Sequence, residues 1–303
     1  MGGHENRRLS ELGEDEVVAR LISSLPADSS VVVGAGDDCA VIDTGADEWQ
    51  LLKTDCLIEG VHFVAGSTPV EVGRKAISRV VSDVAAMGGT PGHALVTLVT
   101  DGDRSIEEVE GWYQGINDAA REFCCLVVGG ETARLEKTGA MLSIAMTGSV
   151  SRDHCVTRSG ASTGDIILVT GRLGGSFNSG RHLKFMPRLE EAQWLVRNFR
   201  PTAMMDLSDG LGSDLPRLAK ASGVGFHLDL EEIPRHEGVA LEAAICDGED
   251  YELLMTVTES VWGKLRDRWN DQFPGVALTR IGTITAEEES LPGSGWDHFR
   301  KDG

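Results

Sequence analysis

The sequence predicts an α/β protein of two domains, on three observations. Short apolar runs that read as strands alternate with longer stretches of helical periodicity. The 303 residues are enough for two sizeable cores. A polar run from Ser151 to Asp165, broken by glycine and serine, divides the chain near its middle. The expected domains are residues 1–150 and 151–303.

Glu14 to Leu25 carries Val17, Val18, Leu21, Ile22 and Leu25 at helical spacing, with Glu14, Asp15 and Glu16 where the helix dipole favours negative charge. Strands follow at about 31 to 33, 39 to 42 and 50 to 53. Between the first two, Gly34-Ala35-Gly36-Asp37-Asp38 ends an apolar run in two glycines and two adjacent carboxylates. A surface turn would account for such a stretch on its own, because Asp is a common turn residue. The third strand runs into Lys53-Thr54-Asp55 and then Glu59-Gly60-Val61-His62-Phe63, so acid again closes an apolar run.

Pro69 suits the first turn of a helix that reaches Met87 and is stopped by Gly88 and Gly89. Ala76, Val80, Asp83 and Met87 share one of its faces. Asp83 there opposes the helix dipole among apolar neighbours and requires a cation, for which Arg79 is the nearby structural candidate. His93 to Thr100 reads as a strand, Ser105 to Phe123 as a helix, and Cys124 to Val128 as a strand leading into Gly129-Gly130-Glu131-Thr132. Met141 to Val150 is the last expected strand of the first domain.

The second half restarts with a strand at Ile166 to Thr170 and the loop Gly171-Arg172-Leu173-Gly174-Gly175-Ser176, which lacks the Gly-Lys-Ser/Thr of a Walker A loop. A helix near Leu189 to Asn198 precedes Ala203-Met204-Met205-Asp206-Leu207-Ser208-Asp209-Gly210-Leu211, a strand-to-helix junction with two acids and a hydroxyl. Ser208 or Asp209 could cap the helix that runs through Ala221, which leaves Asp206 without a structural role. Phe226 to Leu230 is a strand. Gly248-Glu249-Asp250-Tyr251-Glu252-Leu253 opens another, whose alternation would put Glu249, Tyr251 and Leu253 on one side. A helix through Trp262 and Leu265, a strand near Val276 to Ile284 and a tail with Trp296 complete the chain.

Composition narrows the function. Lys and Arg number 28 against 48 Asp and Glu, a net charge of −20 that repels nucleic acid and anionic membranes. A polyphosphate can still bind where divalent cations mediate, since carboxylate and phosphate oxygens are both hard ligands. The six cysteines have no zinc-ligand spacing and read as thiols of a reducing compartment. The start of the chain lacks an apolar signal region, Asn6 disfavours myristoylation at Gly2, and no apolar run approaches a membrane span, so the expectation is a cytoplasmic protein. No Gly-x-Ser-x-Gly or His-Glu-x-x-His is present. Carboxylates at many separate strand and helix ends suit a fold that gathers them around several hard cations, and magnesium, which leaves sites for water and phosphate, fits better than calcium.

Six motifs in order resemble the thiamine-monophosphate kinase family: Gly34-Ala35-Gly36-Asp37-Asp38-Cys39-Ala40; Thr54-Asp55 with Glu59-Gly60-Val61-His62-Phe63; Ser82-Asp83-Val84-Ala85-Ala86-Met87-Gly88; Thr157-Arg158-Ser159-Gly160; Asp206-Leu207-Ser208-Asp209-Gly210-Leu211; and Gly248-Glu249-Asp250-Tyr251-Glu252-Leu253. The resemblance runs from about Leu12 to Phe299. A wider superfamily, which includes aminoimidazole ribonucleotide synthetase, selenophosphate synthetase and a hydrogenase maturation factor, shares part of the set.

The resemblance implies the aminoimidazole ribonucleotide synthetase-like fold: an amino-terminal domain that binds ATP and magnesium and pairs in a homodimer, and a carboxy-terminal α/β domain that completes the active site. It implies direct phosphorylation of thiamine monophosphate to thiamine diphosphate, with ATP as co-substrate and several magnesium ions. Carried over by position, it assigns Asp38, Thr54, Asp55, Asp83, Glu131, Asp206 and Asp209 to magnesium. Arg158, Ser208 and Gly130 fall to ATP, and His62, Glu249 and Trp296 to the thiamine substrate. Asp209 and Arg158 are the residues it places in the chemistry. Glu131 stands where the family usually has Asp, and Lys53 where it has serine; a lysine there could displace a cation or touch a phosphate. Milder departures are Ala35 and Asp247. Another synthetase of the superfamily, or a magnesium-nucleotide-binding regulator without turnover, are the alternative readings.

Overall fold

A computed structural model describes residues 7–287, 289 and 291–299. Gly2 and Asn6, on which the lipidation expectation rests, lie outside the described residues. Two helices, α1 (Leu9–Leu12) and α2 (Glu14–Ile22), lead into a first set of strands: β1 (Val31–Val33), β2 (Ala40–Ile42), β3 (Glu48–Ile58), β4 (Thr90–Asp101), β5 (Leu126–Leu135) and β6 (Ala140–Ser151). These form one sheet in the order β1-β2-β3-β6-β4-β5. All its pairs are antiparallel except β4 with β5, where the connecting helix α4 (Ile106–Glu122) makes the crossover that a parallel pair requires.

The second half contributes β7 (Ile166–Thr170), β8 (Ala203–Asp206), β9 (Gly225–Leu228), β10 (Leu253–Val257) and β11 (Leu278–Thr285), a fully antiparallel sheet in the order β8-β10-β7-β11-β9. Its helices are α5 (Ser176–Ser179), α6 (Leu189–Asn198), α7 (Leu211–Ser222), α8 (Leu241–Cys246) and α9 (Glu259–Gln272). The expected elements are present with shifted ends, and α1, α5 and α8 are additional. Two shifts matter for the site. Strand β3 continues through Thr54 and Asp55 to Ile58, and β5 passes through Gly129-Gly130-Glu131-Thr132, so these motifs lie within strands and not at their ends.

The element that positions everything else is α3 (Pro69–Ala86). Every residue from Val72 to Ala86 except Arg74 is buried, as expected of a helix surrounded by protein on all sides. Val72, Ile77, Val80 and Val84 pack into the core of the first sheet, together with Leu51, Trp112 and Ile144. Ala85 and Ala86 pack instead with Ile166, Leu168, Leu195 and Met204 of the second half. The last turn of α3, with Asp83 on it, therefore stands at the seam of two cores.

Glycines let α3 and α4 approach closely. A Cβ on Gly115 would lie 1.9 Å from the Val70 carbonyl oxygen, and one on Gly73 would lie 1.9 Å from that of Trp112. Because the obstacle is backbone, the helices would have to separate. Gly115→Ala should destabilise the fold by about 2 kcal/mol despite alanine's better helix propensity. Urea unfolding checks this, and unchanged stability would mean that the close crossing does not constrain the helices.

Candidate active site

The acids converge at the carboxy-terminal end of α3. Asp38, on the turn before β2, Asp83 on α3 and Asp206 at the end of β8 are all buried, and each offers a carboxylate oxygen within 4.8 Å of the others. Three like charges in one buried place require cations or protons. Each has a local partner. The Arg158 guanidinium donates to Asp38 Oδ1 at 2.5 Å, the Lys53 ammonium to Asp83 Oδ1 at 2.6 Å, and Ser82 Oγ to Asp206 Oδ2 at 2.6 Å.

The compensation is incomplete. Asp38 Oδ2 is buried without a hydrogen-bond partner among the described residues. Burial, followed by the nearby Asp38, pushes the Asp206 carboxyl up to about 7. Burial also holds Asp83 well above the usual carboxylate range, against the pull of Lys53. Burial and then Asp38 raise Asp37 to about 6, and Asp37 accepts the Arg158 backbone N–H at 3.1 Å. An orphaned buried oxygen beside two carboxylates that resist ionisation suits a small hard cation, so the residues present fit magnesium.

The structural candidate for Asp83, Arg79, is not its partner, since Lys53 takes that place. Lys53 and Asp55 project from β3 toward α3, and Arg79 instead reaches Asp55 Oδ2 at 3.0 Å and the Cys56 carbonyl at 2.7 Å. Burial opposes the Lys53 charge, but Asp83 and Asp55 more than restore it and raise its pKa above the usual lysine value. Thr54 alternates to the opposite face, beside exposed Leu52, Leu95 and Val128, so its hydroxyl does not join the carboxylates.

Beside the triad, a cavity of about 570 Å³ is lined by Asp55, Arg158, Ser208, Asp209 and Tyr251 among others. The junction that holds Ser208 and Asp209 is not built by capping from either of them. Gly210 is the N-cap of α7, and the buried Asp214 reaches back to accept the N–H groups of Ser208 at 3.1 Å and Asp209 at 3.0 Å. Arg217 then holds Asp209 at 2.5 Å and Asp214 at 3.1 Å. Asp214 and Arg217 escaped the sequence reading; their signal was i,i+3 spacing on the helix after the Asp206 motif.

A second cavity, of about 700 Å³, shares Arg79, Ser208, Asp209 and His298 with the first and adds His62, Phe177, Glu249 and Trp296. All three residues assigned to the thiamine substrate are therefore together. Glu249 and Tyr251 share a side, as expected, with Tyr251 on the first cavity and Glu249 on the second, but they do not belong to a strand. Both have left-handed backbone, at φ 71° and 52°, and β10 begins only at Leu253. Glu249 is bound by the fully buried Lys75, another residue that sequence reasoning missed, and Lys75 also reaches the His62 carbonyl at 2.7 Å and His182 Nδ1 at 2.8 Å. Burial alone would raise Glu249, but His182 and Lys75 hold it down at about 2. Trp296 is 40% exposed, with its backbone N–H donating to the Asp209 carbonyl at 2.9 Å and its indole N–H to His298 Nδ1 at 3.3 Å.

Gly130 and Glu131 are not part of this assembly. Glu131 is exposed on the edge strand β5, in register with Thr97 of β4, Ser143 of β6 and Cys56 of β3. Three inter-strand steps place it roughly 14 Å from β3. No Cβ fits at Gly130, because it would lie 1.8 Å from the Val96 carbonyl oxygen.

Comparison with known proteins gives this geometry a context. The family of the AIR synthase related protein N-terminal domain matches residues 36–150, and that of its C-terminal domain matches 143–291. A thiamine-monophosphate kinase of Aquifex aeolicus is 35% identical, across 96% of this chain and 100% of its own length. The chain belongs to the thiamine-monophosphate kinase family. The kinase of Salmonella typhimurium is 33% identical over 95% of this chain and 98% of its own. A solved structure of AaThiL complexed with AMPPCP and TMP agrees with a TM-score of 0.84 at 32% identity, covering 97% of this chain and 99% of that one. The hydrogenase maturation protein HypE of E. coli, at 17% identity and a TM-score of 0.70, shares the fold alone. The chain thus has the AIR synthase-like fold, in a family of phosphotransferases. No helix among the described residues is long and apolar enough to cross a membrane.

His62 carries a pH prediction. Its Nδ1 accepts the Ile58 N–H at 3.0 Å, and burial followed by the Arg79 charge lowers its pKa to about 3. The folded protein therefore keeps His62 neutral while the unfolded chain protonates it below about 6.5, so its contribution to stability falls as pH drops from there toward 3. In an NMR titration from pH 5 to 8 the His62 ring should not titrate; a midpoint near 6.5 would contradict its place in the site.

Proposed function

We propose that this chain transfers the γ-phosphoryl group of ATP to thiamine monophosphate, giving thiamine diphosphate and ADP in the cytoplasm. The observation that carries the reading is the buried Asp38–Asp83–Asp206 cluster with its unpartnered Asp38 oxygen, next to two joined cavities. Relatives named thiamine-monophosphate kinase along nearly the whole chain, and a solved relative complexed with AMPPCP and TMP, support the choice of substrates.

In this reading Asp38, Asp83 and Asp206 hold magnesium, with Asp55 and Asp209 at the cavity wall as further ligands. Bound there, magnesium would neutralise the polyphosphate and the charge that develops during transfer. The acceptor phosphate is anionic near neutral pH, so proton abstraction is a minor requirement and neutralisation of charge a major one. The Arg158 guanidinium, now paired with Asp38, would serve the polyphosphate, which would leave Asp38 to a cation. Ser208 contacts the nucleotide, and Arg217 keeps Asp209 oriented. Lys53 stays with Asp83 and supplies one fixed positive charge at the place where the family usually has serine.

His62, Glu249 and Trp296 would enclose the thiamine moiety. Trp296 offers a ring face to a cationic heteroaromatic. Glu249 remains ionised because Lys75 and His182 hold it, so it can attract that cation without taking up a proton.

The exposed apolar face around Leu52, Leu95 and Val128 supports a homodimer. A second copy would cover it, and would also give Thr54, Gly130 and Glu131 a site that their own chain does not complete. Residues 1–150 then form the nucleotide-binding and dimerising domain, and residues 151–303 the domain that closes the active site.

Purified protein with Mg-ATP and thiamine monophosphate should yield thiamine diphosphate and ADP in equal amounts. Asp83→Asn should lower turnover by about a thousandfold while the protein still folds. Nucleotide binding without product would favour the regulator instead, and retained turnover would remove Asp83 from the cation set.

A further inference from the structure

Behind the active-site segment Gly248–Glu252 lies a cavity of about 370 Å³ that shares no lining residue with the two cavities of the site. The segment faces both ways. Glu249 and Tyr251 line the active-site cavities, whereas Asp250 and Glu252 line this one. Both Glu249 and Tyr251 have left-handed backbone.

The rear cavity is basic in a chain whose net charge is −20. Four cationic side chains line it, and two of them have carboxylate partners: Arg188 forms a bidentate pair with Glu252, and Lys184 meets Glu71 at 2.9 Å. The other two do not. Arg172 donates to the Arg235 carbonyl at 3.0 Å and Arg181 to the Gly174 carbonyl at 2.6 Å, and neither has a carboxylate partner among the described residues. Their charges, after burial, depress the pKa of His236 in the same cavity.

The one remaining carboxylate offset is weak. Asp250 turns its oxygens to the Gly174 N–H at 2.7 Å and to the Ser176 hydroxyl, and burial pushes it up to about 7. The glycine-rich loop does not itself cradle an anion, because the N–H groups of Gly174 and Gly175 are taken by Asp250 and Asp247. Binding there falls to the side chains.

We propose that this cavity is a second ligand site, for a phosphate or diphosphate group held by Arg172 and Arg181 with His236 as a further donor. Two guanidinium forks without carboxylates match the several oxygens of such a group. Phe185, on the same cavity wall, stacks on Tyr251 at 3.9 Å, so an occupant is one ring away from the active-site segment. The site is independent of the proposed phosphoryl transfer.

Calorimetric titration with inorganic pyrophosphate in EDTA tests it, since without divalent ions the acidic active site repels the probe. Wild type should bind pyrophosphate, and Arg172→Ala/Arg181→Ala should bind it about tenfold more weakly, with Mg-AMPPCP binding unchanged as evidence of folding. Arg266→Ala, an exposed arginine on α9, should bind like wild type and so exclude a net-charge effect. If the double variant fails to fold, Arg172→Ala alone, at an exposed residue, should still weaken binding about threefold. No binding by wild type up to millimolar pyrophosphate, or equal binding by wild type and the Arg172 variants, would overturn the proposal.

Discussion

Three carboxylates within 4.8 Å of one another at a buried seam are the constraint on which this structure depends. They come from a turn, a helix end and a strand end, drawn from both halves of the chain. Holding them together requires α3 to pack into two cores at once, with its last turn crossing from one to the other. The surrounding charges are arranged to make this tolerable. Lys53 from β3 and Arg158 from the segment between the sheets each take one carboxylate, and Ser82 takes the third. The arrangement still leaves Asp38 Oδ2 unpartnered and the Asp206 carboxyl raised to about 7 by burial and by Asp38. Such residual frustration is characteristic of a binding site, where stability is given up for affinity.

Much of this was legible in the sequence, for a physical reason. Acids beside apolar runs stand out: Asp38 and Asp206 close such runs, and Asp83 interrupts the apolar face of a helix. Pro69 and Gly88-Gly89 bounded α3, and an apolar run closed by two acids and Gly210 marked the Asp206 junction. What stayed hidden was pairing across space. Asp83 has Arg79 one turn away, yet its partner is Lys53, 30 residues distant and brought near by β3. Lys75 looks like an ordinary surface residue of an amphipathic helix; only burial on all sides of α3 turns it into the anchor of Glu249.

Local backbone decided the other differences. Alternation predicts a common face for Glu249 and Tyr251, and both do line the active-site side with Asp250 and Glu252 to the rear, but on left-handed backbone outside any strand. Similarly, a glycine pair suggests a turn at Gly129-Gly130, whereas close contact with β4 keeps that stretch in a continuous strand. That strand carries Glu131 to an exposed edge, away from the residues with which its motif groups it. A site read as one list of acids is in space a buried triad, a cavity wall and a remote edge.

The central claim is that the triad holds divalent cations for a nucleotide. The most direct measurement is the anomalous scattering of manganese in crystals grown with Mn-AMPPCP. The account predicts a peak about 2.1 Å from carboxylate oxygens of at least two of Asp38, Asp83 and Asp206, with Arg158 moved from Asp38 to the phosphates. Bound nucleotide with no metal at the triad, and Arg158 still paired with Asp38, would contradict it.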